Sequence, residues 1–281
     1  GLGFTGAKAP VNPSPRSKAR GNVEGLDRGS IMCGIMGMVL NRRERTDEEL
    51  ENLRERFSTL LVATQVRGKD AAGAFVVNES SIRYHRAPGA ASTLVKSPLW
   101  WGLMDTISEE TTAVVGHTRF ATTGCPTCND NNHPIAIGSL IGVHNGVLYN
   151  DDEIRDRYPY EQEVDSAAIF ALLNGESKGD LLTADMIADT LPGINGNLAI
   201  AVADNRKPNK LFIARDGTRP LFLAPDPDDG IMWIASTSAI LQAGLRTRRL
   251  STVSLPSNSI ATLTSTFDFT GNKPAVDIIK W

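Results

Sequence analysis

The sequence predicts an α+β fold in which strands and helices come in blocks and stack as layers. Three observations predict it. Strand-like runs are grouped: 72–77 and 82–85 flank a turn and lead to 112–119, and 197–203, 210–214, 220–223 and 231–235 follow in quick succession. Helical periodicity is confined to separate stretches, after Thr46 and over 164–173, 184–191 and 238–245. The strict strand–helix alternation of a parallel βαβ wheel is missing, and there is no internal repeat.

Each element has its own signal. Residues 33–40 form a Gly-spaced apolar run that reads as a buried strand. Thr46-Asp47-Glu48-Glu49 is a capping box, with Thr46 at the N-cap and Glu49 three residues on. The helix it opens carries Leu50, Leu53, Phe57, Leu60 and Leu61 on one face. Asn78-Glu79-Ser80 reads as the hairpin turn between 72–77 and 82–85. The run 112–119 is rich in β-branched residues. Residues 135–143, broken at Gly138, read as a tight hairpin. Strands near Val253 and Ile260 close the chain.

Composition narrows the function classes. With 281 residues, 41% hydrophobic and 22% charged, the chain can bury a full core as one large domain or two small ones. A net charge of −3 argues against nucleic acid as a partner. No apolar run approaches the roughly 20 residues of a membrane span, and the N-terminus lacks a secretory h-region, so no membrane partner is expected. Cys33, Cys125 and Cys128 are an odd count without a disulfide framework, which suits a reducing, cytoplasmic setting.

Residues 1–31 differ from the rest. Gly and Pro are frequent, and five basic residues (Lys8, Arg16, Lys18, Arg20, Arg28) face two acidic ones (Glu24, Asp27), a net of +3. Such a segment cannot bury enough surface to fold by itself. We therefore divide the chain into a leader or propeptide-like arm, 1–31, and a globular domain, 32–281.

The chemistry starts at Cys33-Gly34-Ile35. A thiol opening an apolar strand is what an N-terminal-nucleophile amidohydrolase needs: the sulfur attacks an amide carbon, and the α-amine of the same residue is the base. Further segments fit: Arg67-Gly68-Lys69-Asp70-Ala71-Ala72-Gly73, Gly116-His117-Thr118-Arg119-Phe120-Ala121-Thr122, Asn132-His133-Pro134, Val143-His144-Asn145-Gly146, Val164-Asp165-Ser166 and Ala214-Arg215-Asp216-Gly217. In this order and spacing, from residue 32 to about 240, they resemble the glutaminase domain of class II glutamine amidotransferases, the family of glucosamine-6-phosphate synthase and glutamine phosphoribosylpyrophosphate amidotransferase. The resemblance implies a four-layer αββα N-terminal-nucleophile hydrolase sandwich of two stacked, mainly antiparallel sheets. It also implies that glutamine is hydrolysed through a Cys33 thioester, without cofactor or metal.

Roles follow from the same resemblance. A tetrahedral oxyanion needs preorganised donors, and the Asn145 side chain and Gly146 N–H are implied to supply them. Asn-Gly taken alone is a type I′ turn signal, but Val143-His144 before it and Val147-Leu148-Tyr149 after it favour the functional reading, and the two can coexist. Arg119 is implied to pair the glutamine α-carboxylate and Asp165 its α-ammonium; their plainer readings are a strand-end Arg and a helix N-cap. Thr122 and Thr123 sit where the family's loop touches substrate, and Arg67 is implied to support the nucleophile strand. The chain departs from the family in having Thr123 for a His of the aminosugar branch, Phe120 for Trp or Tyr, and Ser166-Ala167 for Thr-Glu. Cys125-Pro126-Thr127-Cys128 is open between zinc or redox chemistry and a loop staple or two buried thiols; no second ligand pair is visible in sequence. His117 reads as a core histidine.

Two consequences are expected. While 1–31 stay attached, the Cys33 nitrogen is an amide and cannot act as a base, so activity requires cleavage before Cys33 or a start at Met32. Residues beyond about 250 suffice only to finish the sheets, so ammonia would pass to water or to a separate synthase subunit. The alternative is a non-catalytic structural or assembly protein, for example in a viral particle, that docks through an uncleaved 1–31 arm.

Overall fold

The structure is a computed structural model that describes residues 32–245, 250–267, 269 and 276–281. The 1–31 arm lies outside the described residues. In chain order, β1 (Gly34–Leu40) is followed by α1 (Asp47–Thr64), the hairpin β2 (Ala71–Asn78) and β3 (Ser81–Pro88), the short helices α2 (Ala91–Leu94) and α3 (Pro98–Met104), and β4 (Thr111–Arg119). Next come β5 (Ile135–Ile137), β6 (Leu140–Leu148), α4 (Asp151–Arg157), α5 (Ser166–Glu176), α6 (Ala184–Thr190), β7 (Gly196–Asp204) and β8 (Lys210–Arg215). Last are β9 (Phe222–Asp226), β10 (Ile231–Ala235), α7 (Ser238–Gly244), β11 (Val253–Ser254), β12 (Ser259–Thr264) and β13 (Asp277–Lys280).

The strands form two antiparallel sheets, ordered β11-β9-β10-β1-β4-β2-β3 and β13-β12-β8-β7-β6-β5. Side-chain alternation explains the stacking. On β1, Met36, Met38 and Leu40 face α1, α3 and α7, while Ile35 and Val39 face the second sheet. Phe75, Val115, Val143 and Ile213 fill the same gap between sheets. On the far side, Phe170 and Ile169 of α5 and Ile187 of α6 cover Ile200 and Val202 of β7. The result is the four-layer αββα sandwich expected.

The Thr46–Glu49 capping box is formed reciprocally, the Thr46 Oγ1 accepting from Glu49 N–H at 3.2 Å and Glu49 Oε2 accepting from Thr46 N–H at 2.7 Å. One reading is corrected. Asn145-Gly146 is not a turn; it lies inside β6, paired with Ala199 and Leu198 of β7. The hairpin expected at Gly138 is present, with its turn at Gly138-Ser139, and a nine-residue partner strand overrides the local turn preference of Asn-Gly. The expected strand 220–223 falls slightly later, as β9.

Candidate active site

The site occupies one end of the gap between the sheets, where four strands deliver polar residues in register. β1 runs away from that end and β4, β6 and β10 run towards it. Residues two apart therefore step from core to mouth: Ile35 to Cys33, Val115 to His117 to Arg119, Val143 to Asn145, Ile234 to Ser236.

Cys33 is half-buried just before β1. Its Sγ accepts from Phe120 N–H at 3.3 Å and lies 3.5 Å from Phe120 O. Burial pushes its thiol above the ordinary value, outweighing the Phe120 N–H and the Arg119 charge, so the resting form is neutral thiol. The segment 67–70 fixes this geometry. Arg67 Nε donates to Cys33 O at 2.8 Å. Gly68 lets the Arg119 backbone pass, because a Cβ there would lie 2.3 Å from Arg119 C. Asp70 Oδ2 accepts from Ala121 N–H at 2.8 Å, and Asp70 N–H donates to Arg119 O at 3.0 Å.

A small cleft is lined by Cys33, Arg119, Phe120, Thr123, Gly146 and Asp165, with Thr122, His133 and His144 also on its wall. Arg119 is buried, and its guanidinium donates to Asn132 Oδ1 at 2.8 Å, to Gly124 O at 3.1 Å and to Thr123 O. No carboxylate is bonded to it among the described residues, and two of its five donors stay available for an anion. Asp165 caps α5 through Ser166 N–H at 2.9 Å and accepts from Leu148 N–H at 2.8 Å; Thr123 Oγ1 stands 3.5 Å away. The N-cap and the cleft wall are thus one carboxylate. Its cap bonds aim it, and no cation is bonded to it among the described residues.

The two expected oxyanion donors are placed differently. Gly146 lines the cleft at a φ of +150°, where a Cβ would lie 1.9 Å from Asn197 O, so only glycine fits. Asn145 points into the gap, but its Nδ2 donates to Ser236 Oγ at 2.8 Å. Sequence reading missed Ser236, which carries no local motif. Its hydroxyl accepts from Ile35 N–H at 2.8 Å and donates to Ile35 O at 3.1 Å, tying Asn145 to the strand that carries Cys33.

Behind the cleft, the His117 and His133 rings lie with centroids 4.1 Å apart and planes tilted by 36°, and His117 Nε2 lies 3.0 Å from His144 O. Burial pushes His117 down to about 3 and His133 and His144 below the ordinary value, so all three are neutral at pH 7. His117 is a core histidine, as expected. Cys125 and Cys128 are free and exposed, which corrects the buried-thiol reading. Among the described residues, no group of three or more His, Cys, Asp or Glu is arranged to hold a metal, and no helix is long and apolar enough to cross a membrane.

This arrangement has counterparts. A family profile described as a glutamine amidotransferase domain matches residues 117–243, the stretch from His117 through Asp165 to α7. This chain carries a class II glutamine amidotransferase domain. The amidotransferase domain is 28% identical over 190 residues to a glutamine–fructose-6-phosphate aminotransferase (isomerizing) of Staphylococcus epidermidis, covering 66% of this chain and 29% of that protein. It is 30% identical over 210 residues to the enzyme of that name from Clostridium perfringens, covering 69% of this chain and 32% of that protein. The chain thus spans about a third of the length of these curated relatives. Among solved structures, glutamine phosphoribosylpyrophosphate amidotransferase from Bacillus subtilis, complexed with ADP and GMP, superposes with a TM-score of 0.63 at 16% identity. That match covers 88% of this chain and 49% of the other, and the amidotransferase domain shares its fold.

Proposed function

We propose that the domain hydrolyses the side-chain amide of free glutamine through a Cys33 thioester. The observation that carries this reading is the cleft itself: a nucleophilic sulfur between a guanidinium with donors to spare and a carboxylate aimed by its cap bonds. Glutamine is a small zwitterion. Its α-carboxylate takes the free donors of Arg119 and its α-ammonium takes Asp165, with Thr122 and Thr123 closing over it. The side-chain amide then reaches Sγ. The cleft as it stands holds about 20 Å³, room for roughly one water, so the exposed Phe120 and Thr122 side chains swing outward to admit substrate.

Because burial keeps the Cys33 thiol neutral, attack needs a base at the sulfur. The α-amine of Cys33, with a reference pKa of about 8, takes the proton once the 32–33 peptide bond is cut. The sulfur adds to the amide carbon, and the oxyanion is met by Gly146 N–H and by the Asn145 amide, which turns from Ser236 about its side-chain torsions. Collapse expels ammonia, which takes the amine's proton. Water then adds to the thioester, giving glutamate and the free thiol. The ammonia goes to water or to an acceptor held by a separate synthase subunit.

The test compares ammonia release from glutamine by a chain beginning at Cys33 and by the same chain with Met32 attached. We expect the second to be slower by at least about 100-fold, the lower end of what a positioned base supplies. Equal rates would remove the α-amine from the mechanism.

A further inference from the structure

The Cys125-Pro126-Thr127-Cys128 segment takes no part in these steps, yet it is built for thiol chemistry. Cys128 N–H donates to Cys125 O at 3.2 Å, closing a four-residue turn with Pro126 in its second position. Such a turn holds its first and fourth Cα within about 7 Å, close to the span a disulfide bridges. Both thiols are free and exposed. The Thr127 hydroxyl, 3.0 Å from Cys125 Sγ, acts with the Thr127 and Cys128 N–H groups to push the Cys125 thiol below its ordinary value, and the thiolate is the reactive form.

The same turn is tied to both recognition charges of the cleft. Immediately before it, Thr123 O and Gly124 O hold the Arg119 guanidinium. Within it, Pro126 O accepts from Asn132 Nδ2 at 2.8 Å, and Asn132 Oδ1 is the third acceptor of Arg119. Cys125 N–H donates to Glu163 Oε2 at 3.2 Å, and Asn131 Nδ2 bridges Cys125 O (3.3 Å) and Glu163 Oε2 (2.8 Å), two residues before Asp165.

We propose that Cys125 and Cys128 form a modification site, oxidised to an intramolecular disulfide by a small-molecule disulfide of the glutathione type, and that closing it weakens glutamine binding by displacing the acceptors of Arg119. The inference rests on the glutamine reading of the cleft. The Cys125 thiolate attacks one sulfur of the small disulfide, forming a mixed disulfide and expelling one thiolate. Cys128, on losing its proton, attacks the Cys125 sulfur and expels nothing but the second small thiol. Two protein thiols are oxidised by two electrons, one small disulfide is reduced to two thiols, and the protons balance. Drawing the sulfurs together repacks the turn, and the carbonyls that fix Arg119 move with it.

The test uses the full chain carrying Cys33→Ala, which removes the third thiol. The protein is equilibrated in glutathione buffers from reducing to oxidising. Mass spectrometry of the 125–128 peptide reports loss of two hydrogens, and calorimetry reports the Kd for glutamine. We expect a reversible disulfide in oxidising buffer and a Kd raised about tenfold. Cys125→Ser/Cys128→Ser in the same background should hold the reduced-state Kd, within twofold, in both buffers. No disulfide, or a disulfide with unchanged Kd, overturns the proposal and leaves glutamine binding standing. A reduced protein that binds no glutamine overturns the parent reading, and the redox coupling with it, while the mass still reports whether the disulfide forms.

Discussion

Cys33 is held under two opposing demands. Its sulfur must be shielded to be selective, and shielding keeps it protonated. The neighbours resolve this by fixing its backbone: Arg67 grips the Cys33 carbonyl, and Ser236 grips both the N–H and the carbonyl of Ile35 two residues on. Ser236 also holds the Asn145 amide in reach of the same region. Ser236→Ala therefore leaves a buried Ile35 N–H unpaired, a cost of about 1–3 kcal/mol, and frees Asn145 to wander. We expect kcat for glutamine hydrolysis to fall about tenfold or more with KM within threefold, and Ser236→Thr to recover most of it. A loss confined to stability, with kcat intact, would make Ser236 purely structural. Asp165→Asn keeps one acceptor for the α5 cap but removes the charge proposed to meet the α-ammonium. KM should rise roughly 10- to 100-fold with kcat little changed, the value of one charge-assisted contact; an unchanged KM would clear Asp165 of that role.

At the scale of elements, β6 decides the site. It carries His144 towards α5, Asn145 into the gap and Gly146 to the cleft wall in three consecutive residues. That compression works only because Gly146 takes a backbone angle closed to other residues and tucks against Asn197 of β7. Gly146→Ala should cost stability on the order of 3 kcal/mol or more and abolish turnover, read by denaturant unfolding and ammonia release; full stability would mean that β7 yields. Most elements were legible in the sequence, because the Thr46 capping box and the apolar alternation of β1, β2 and β4 are local signals backed by burial. The position of Asn145-Gly146 was not, since a turn preference is local and the β7 pairing that overrides it is not. Helix α4 buries only Ile154 and so shows no apolar stripe. Helix α3 announces itself only through Ser97-Pro98. The candidate cleft residues Cys33, Arg119, Gly146 and Asp165 were legible as motif members, whereas the contacts of Gly68, Asp70 and Ser236 exist only once distant strands meet.

For the whole molecule, the gap between the sheets changes character along its length, from Ile35, Val115 and Val143 to a tier of neutral histidines and then to the charged cleft. That middle tier links folding to acid. The folded state keeps His117 unprotonated down to about 3, whereas an unfolded chain binds the proton near 6.5, so between these values the unfolded state takes up more protons. Stability is full above about pH 6.5 and is lost as pH falls; His133 and His144 act in the same direction. Between pH 7 and pH 5, His117 alone should remove about 2 kcal/mol of unfolding free energy, visible as a lower urea midpoint at pH 5. Equal midpoints would mean that the tier accepts protons without opening.

The proposed chemistry turns on one sulfur atom acting on one amide. Ammonia release from glutamine by the chain trimmed to Cys33 and carrying Cys33→Ala, with folding verified by its unfolding midpoint, measures this most directly. The expected rate is indistinguishable from uncatalysed hydrolysis. Turnover within tenfold of the unsubstituted protein would contradict the assignment of Cys33 as the nucleophile.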